Sequence, residues 1–454
     1  MYESAAHAAV RQAVADGLLG PDEPLAGFVD VDGVRRAVSA LHDAFGAPPG
    51  PAGAPPVPSG EGGGPPVLHT FAAKAAPLVP VLRLLADLGM GCEVASAGEL
   101  RLALAAGFAP GTIVLDSPAK TGAEIAEALA LGVAVNADNL DELHRIDALR
   151  RTAGGSSSVL GIRVNPQIGG GEIGSMSTAT ATSKFGVAIG DPGGRERVVR
   201  AFAERPWLAR LHAHVGSQGC SLDLLAAGAR ETFGLAEEIG RRGGRVTSVD
   251  IGGGLPVNFD GDADRPAFGE YARALRETVP GLFGGRYGLV TEFGRALLAK
   301  SGFIAARVEY VKDAGGRRVA VTHAGAQVAT RTVLMPDAWP LRVTALDPGG
   351  RRKTGRRLAQ DVAGPCCFAG DVVAHARDLP ELEPGDFVVL HDTGAYYFSS
   401  PWSYNSLPRP AVHGFTAGGG AVAFAPIRDA QTLDEVVAES GLAHAAALLR
   451  PPVR

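Results

Sequence analysis

The chain has 454 residues and a formal net charge of −5, with 43 Lys and Arg against 48 Asp and Glu. That balance argues against a protein whose main task is to bind a polyphosphate backbone or an anionic membrane. Hydrophobic residues make up 46% and charged residues 20%, a globular rather than disordered mix, and the length suits two or three domains.

The four cysteines, Cys92, Cys220, Cys366 and Cys367, form no C-x-x-C pair, which speaks against a zinc ribbon or a disulfide framework. No run approaches the ~18 apolar residues of a membrane span. The N-terminal segment lacks an apolar signal core, so a cytoplasmic protein is expected.

In chain order, residues 1–46 contain FVDVDGVRRAVSALHDAF, which reads as a short strand and an amphipathic helix and is expected to contribute to a β domain. Residues 47–66 hold 14 Gly or Pro in 20 positions and read as a flexible loop. From residue 67 the pattern is regular. Strand-like runs at 67–73, 92–95, 113–116, 133–136, 159–165, 209–215, 246–251 and 287–292 alternate with helical stretches such as LDLLAAGARETFGLAEEIGRR. Eight such units across 67–300 predict a (β/α)8 barrel, with a doubly wound open sheet as the alternative. Residues 301–454 read as a mostly β domain, with turn signals DAGG, DPGG and EPGD and one long amphipathic pattern, LDEVVAESGLAHAAALLR, near the end.

The polar residues gather at one end of the predicted barrel. Lys74 follows strand one, Glu93 sits in strand two, and Arg163 and Asn165 end strand five. His214 and Ser217 end strand six, Gly252 to Gly254 follow strand seven, and Glu292 to Arg295 end strand eight. Active sites of (β/α)8 barrels form at that face.

Each residue has two readings. Lys74 is a solvated surface amine, or an amine desolvated after an apolar strand and suited to a covalent link with a carbonyl. The triple glycine is a tight turn or a backbone cradle for phosphate. His212 and His214 in LHAHVGS suit zinc or, for His214, an aromatic platform, but no further spaced His and Asp complete a metal site. Glu292 is a surface carboxylate or a partner for a protonated ring nitrogen. Cys366–Cys367 and Tyr396 equally suit a core.

Taken together, FAAKA, HVGSQ, IGGG, E-x-G-R, G-P-x-C and G-A-Y resemble the fold-type III pyridoxal-phosphate decarboxylases, the group of diaminopimelate, ornithine and arginine decarboxylases with an alanine racemase-like barrel. The resemblance implies that Lys74 carries pyridoxal 5'-phosphate covalently, with Arg163 in the cofactor site. His214 would stack on the ring, and Glu292 would keep its nitrogen protonated. Ser217, Gly253, Gly254, Gly294, Arg295 and Tyr396 would hold the phosphate. Cys367 would reprotonate the substrate carbon from the partner subunit of a homodimer with shared sites.

The sequence departs from the family at the substrate. Phe368 replaces the acidic residue that pairs a distal ammonium, and Met335 stands where a substrate-binding Tyr is expected, while Arg295 and Arg331 are retained. The expectation is an amino-acid decarboxylase whose substrate has no free cation on its side chain and is neutral, acidic, conjugated or carrier-bound. A racemase or epimerase on the same cofactor, and a non-catalytic cofactor-binding protein, are the alternatives; Glu292 weighs for decarboxylation.

Overall fold

The computed structural model describes residues 2–45, 66–152 and 156–449. The predicted flexible loop, apart from Pro66, lies outside the described residues. The chain divides into two units, one of residues 33–299 and the other of residues up to Asp32 together with those from Lys300 onward.

In the first unit, eight parallel strands follow in order: Val67–Ala72, Gly91–Val94, Ile113–Leu115, Ala134–Ala137, Leu160–Asn165, Leu208–His212, Ser248–Asp250 and Gly288–Phe293. Each pairs with the next, and the eighth pairs with the first in the register Leu289↔Val67. That last pairing closes the barrel and removes the open-sheet alternative, which would leave two edges. A two-residue strand, Val187–Ala188, adds to the fifth strand; so short a run has no alternation by which the sequence reveals it.

The outer helices follow from local sequence. Thr121 and Glu124 form a reciprocal capping box, and Gly132 at φ 80° ends the same helix in the left-handed region. The 20-residue helix Leu222–Arg241 starts on the Ser221 hydroxyl, which accepts the Leu224 N–H. It buries Leu225, Ala229, Thr232, Leu235, Ala236 and Ile239, a stripe at helical spacing. Each buried Leu or Ile contributes about 1.5–3 kcal/mol of burial.

The helix Val31–Phe45 buries Val34, Val38, Leu41 and Phe45, and from Gly33 onward it belongs to the barrel unit. The expected assignment of all of residues 1–46 to the β domain is corrected accordingly. Only the part up to Asp32 groups there, because the helix's apolar face packs in the barrel unit: Phe45 meets His69 at 5.4 Å and Phe293 at 6.2 Å between ring centroids.

The second unit is a mixed sheet. Leu25–Asp30 lies between Gly302–Ala314, antiparallel, and Ala411–Gly418, parallel. Its core joins Phe28, Phe303, Phe387 and Phe415 to Ala6, Ala9, Val10 and Ala13 of the helix Tyr2–Ala15. The Phe28 and Phe303 rings stack at 4.9 Å.

Two features differ from the sequence reading. A helix, Ala326–Leu334, interrupts the strands. The long C-terminal pattern yields only the helix Leu433–Glu439, because Gly441 at φ 92° turns the chain before two short 3-10 turns. Among the described residues no helix is long and apolar enough to cross a membrane.

Candidate active site

The loops after strands six, seven and eight of the barrel interlock. The Glu292 N–H donates to the Gly252 carbonyl at 2.8 Å. A Cβ on Gly254, whose φ is 92°, would lie 2.2 Å from the Gly216 carbonyl oxygen; the position accepts no side chain. This approach brings the glycine loop against Gly216–Ser217. Two of the glycine N–H groups are engaged inside the protein: Gly252 donates to Asp250 at 3.0 Å, and Gly253 donates to His214 Nδ1 at 3.2 Å. Gly294 caps the four-residue helix Arg295–Leu298, and Arg295 is buried.

Lys74 sits in a 3-10 turn directly after strand one and pairs with Glu93. Its side chain is 45% exposed, so the apolar socket expected from HTFAAKAAP is instead a half-open site beside a buried carboxylate. Burial pushes the Glu93 carboxyl up, and Lys74 pulls it partly back. Asn165 is spent on structure: it donates to the Thr180 carbonyl and accepts the Gln167 N–H, both at 2.9 Å.

His212 and His214, expected on one face of a strand, take separate roles because the strand ends at His212. His212 is fully buried, with Nε2 3.0 Å from Asp116, Nδ1 3.2 Å from Asp250, and Nε2 3.9 Å from Glu292. Burial disfavours its cation, but Glu292, Asp116 and Asp250 outweigh that and raise its pKa well above the usual value. Asp116 also faces Arg163 at 3.3 Å, and Arg163 lies 4.3 Å over the Phe185 ring. Burial pushes the Asp116 carboxyl up, yet His212 and Arg163 together hold it well below the carboxylate range. Glu292 is driven the other way, raised by burial and by Asp250 against the pull of His212.

His214 is held down to about 3, by burial first and then by Arg163, Lys74 and His212. Its Nδ1 accepts a backbone N–H, so the ring is neutral with its proton on Nε2.

Asp116, His212 and Glu292 bring ligand-type atoms within 4.8 Å of one another. The sequence reading found no such set and paired His212 with His214 instead. With His212 held toward its cation, the three groups form a buried charge network. The carboxylates Asp116 and Asp250 stand at the ends of the strand-like runs 113–116 and 246–251, which was the available signal.

In the second unit, Cys366 is buried and Cys367 exposed. Burial and Asp371 push the Cys366 thiol up to about 11, which leaves Cys367 as the accessible thiol. Phe368 packs edge-on to Tyr404 with ring centroids 5.3 Å apart. The Arg331 guanidinium lies 4.4 Å over the Tyr396 ring and 5.4 Å over Trp339. The structure thus brings Lys74, Arg163, His214, Ser217, Gly253, Gly254, Glu292, Gly294 and Arg295 together in one unit. Arg331, Cys367, Phe368 and Tyr396 lie in the other.

Comparison with known proteins follows the same division. Residues 63–299 match the pyridoxal binding domain of the pyridoxal-dependent decarboxylases. The diaminopimelate decarboxylase of Pseudomonas fluorescens is 34% identical over 351 residues, 77% of this chain and 81% of that protein. That of Actinosynnema pretiosum subsp. auranticum is 34% identical over 364 residues, 77% and 78% of the two chains. The crystal structure of diaminopimelate decarboxylase from Helicobacter pylori complexed with L-lysine superposes with a TM-score of 0.76 at 25% identity, covering 92% of this chain and 97% of that one. The chain belongs to the pyridoxal-dependent decarboxylases and is a carboxy-lyase acting on an amino acid, with pyridoxal 5'-phosphate as its cofactor.

Proposed function

We propose that this enzyme removes the α-carboxylate of an amino acid whose side chain ends in something other than a free ammonium: a neutral or acidic group, or a conjugate with a further metabolite or carrier. The observation that carries this is Phe368 beside Cys367, fixed against Tyr404. A phenyl ring offers a cation about 0.5–1 kcal/mol at an exposed site, whereas truncating one partner of a buried charge pair costs about 2–5 kcal/mol. A distal ammonium therefore loses most of its anchoring at this position. Arg331 is suited to a distal carboxylate, which a guanidinium grips through two parallel N–H bonds. Diaminopimelate is the second reading, favoured by the relatives of that name at 34% identity.

The barrel residues fit the cofactor. Among the described residues, Glu292 Oε1 is buried and has no hydrogen-bond partner, an acceptor suited to a ring N–H. Lys74 would hold the cofactor through its amine, His214 would offer its neutral imidazole as an aromatic platform, and Arg163 would balance the surrounding charge. Ser217, Gly253, Gly254, Gly294 and Arg295 would take the phosphate. When bound, the cofactor supplies the sink for the electron pair released as the C–CO2 bond breaks. Glu292, whose carboxyl burial pushes up, would accept the ring N–H, and a protonated ring would in turn draw that carboxyl toward its charged form. Cys367 of the partner subunit then gives its thiol proton to the carbon that lost CO2: the S–H bond breaks, a C–H bond forms, and water restores the thiol.

The homodimer this requires is supported by Leu334, Met335 and Trp402, large apolar residues 60%, 41% and 40% exposed in the unit that carries Cys367. The test is CO2 release by the purified holoenzyme from acidic, neutral, acylated and basic amino acids. Release from the first three classes with none from L-ornithine or L-lysine supports the reading. Efficient turnover of L-ornithine, L-lysine or meso-diaminopimelate overturns it.

A further inference from the structure

The segment that carries Cys367 is held from two sides. On its inner side, buried Asp371 accepts the Cys366 N–H and the Ala326 N–H, both at 2.6 Å. Gly325 and Gly364 leave room for that carboxylate; a Cβ on either would lie within 2.4 Å of Asp371 Oδ2. On its outer side, the Cys367 N–H donates to the Asn405 side-chain oxygen at 2.7 Å. Asn405 stands at φ 54° and Ser406 at φ 53°, two non-glycine residues in the left-handed region. Among non-glycine residues, Asn and Asp enter that region with the least strain. The preceding residue, Tyr404, packs on Phe368 and on Trp402, and the Trp402 N–H donates to the Gln327 carbonyl at 2.8 Å. Consecutive residues of one turn therefore grip consecutive residues of the Cys367 segment.

We infer that Asn405 is a positioning residue: by holding the Cys367 N–H from a left-handed turn, it fixes the direction from which the Cys367 thiol delivers its proton. The inference rests on the reading of Cys367 as the proton donor. The amide oxygen fixes the backbone N–H of Cys367 and Asp371 fixes that of Cys366, so the Cα–Cβ bond that carries the thiol leaves the chain from a fixed backbone. Without Asn405 the Cys367 N–H turns to solvent and the thiol samples other directions, while the substrate contacts of the barrel are untouched.

The experiment uses holoenzyme carrying Asn405→Gly, Asn405→Asp or Cys367→Ser, with a substrate that the wild type decarboxylates. Asn405→Gly removes the amide and accepts φ 54° without strain, so it folds; Asn405→Asp keeps an acceptor oxygen. Three quantities are read: kcat and KM, the configuration of deuterium in product formed in D2O, and the rate of iodoacetamide alkylation at Cys367 by peptide mass spectrometry. Asn405→Gly is expected to lower kcat by about 10²-fold, the low end for a displaced general acid, with little change in KM. It also scrambles the deuterium configuration and changes the alkylation rate, and Asn405→Asp restores all three toward wild type. Wild-type values for Asn405→Gly beside an impaired Cys367→Ser overturn the inference alone. Wild-type values for Cys367→Ser overturn the reading of Cys367 and the inference with it.

Discussion

Two histidines only two residues apart are driven in opposite directions. His212 meets three carboxylates that outweigh its burial and hold it charged, whereas burial first, and then Arg163, Lys74 and the His212 cation, hold His214 neutral with its pKa down at about 3. The sequence LHAHVGS shows the residues but not this division, because it rests on burial and on charges from distant parts of the chain: Asp116, Asp250 and Glu292 against His212, Arg163 and Lys74 against His214. Their linkage signs differ. His212, with its pKa raised, contributes stability below the unfolded value of 6.5 that is lost as pH rises through its folded value. His214, with its pKa lowered, costs stability as pH falls from about 6.5 toward 3, where only the unfolded chain takes the proton. The two act on opposite sides of pH 6.5, where other titrating groups also contribute to a melting curve, so the separating measurement is site-resolved NMR of the imidazole nitrogens. Between pH 5 and 8, His212 is expected to keep the imidazolium signature and His214 the neutral Nε2–H signature, with neither titrating. A midpoint near 6.5 at either residue contradicts the charge network.

At the scale of elements, the barrel strands were legible because each is a short apolar run bounded by Gly or polar turns. The observed strand Leu160–Asn165 stands against an expected 159–165, and Gly288–Phe293 against 287–292. What the sequence did not show is long-range pairing and buried polar anchoring. Nothing in LAGFVD says that it inserts between strands that begin at Gly302 and Ala411. Nor does HAGAQVATRTVL announce a helix inside a β domain, since its β-branched residues read equally as strand.

The anchor there is Asp371, which ties the Cys367 segment to the start of that helix. Asp371→Ala leaves the Cys366 and Ala326 N–H groups without their acceptor, at about 1–3 kcal/mol each. A loss of about 2–6 kcal/mol in urea unfolding is therefore expected, with the denaturant slope unchanged. A loss within 0.5 kcal/mol of zero, as for an ordinary surface substitution, contradicts that role.

For the whole molecule, the closed barrel and the sheet were expected from alternation and from turn signals. The boundary between the units was not, because the helix from Val31 carries an apolar face whose destination its sequence leaves open. Assembly belongs to this scale. Leu334 and Trp402 expose apolar surface in the unit that carries Cys367, which a second copy would cover. Leu334→Asp combined with Trp402→Asp is expected to shift the protein from dimer to monomer in sedimentation velocity and to lower turnover together with assembly. A wild-type protein that is monomeric and fully active contradicts the shared-site account.

The central claim is that the mouth of the barrel around Lys74 is where the cofactor is held and the chemistry occurs. It is tested most directly by borohydride reduction of the holoenzyme followed by peptide mass mapping. The account predicts a single pyridoxyl-modified peptide carrying Lys74, with no modification in Lys74→Ala. Modification at Lys120, Lys184 or Lys300 with Lys74 untouched would contradict it.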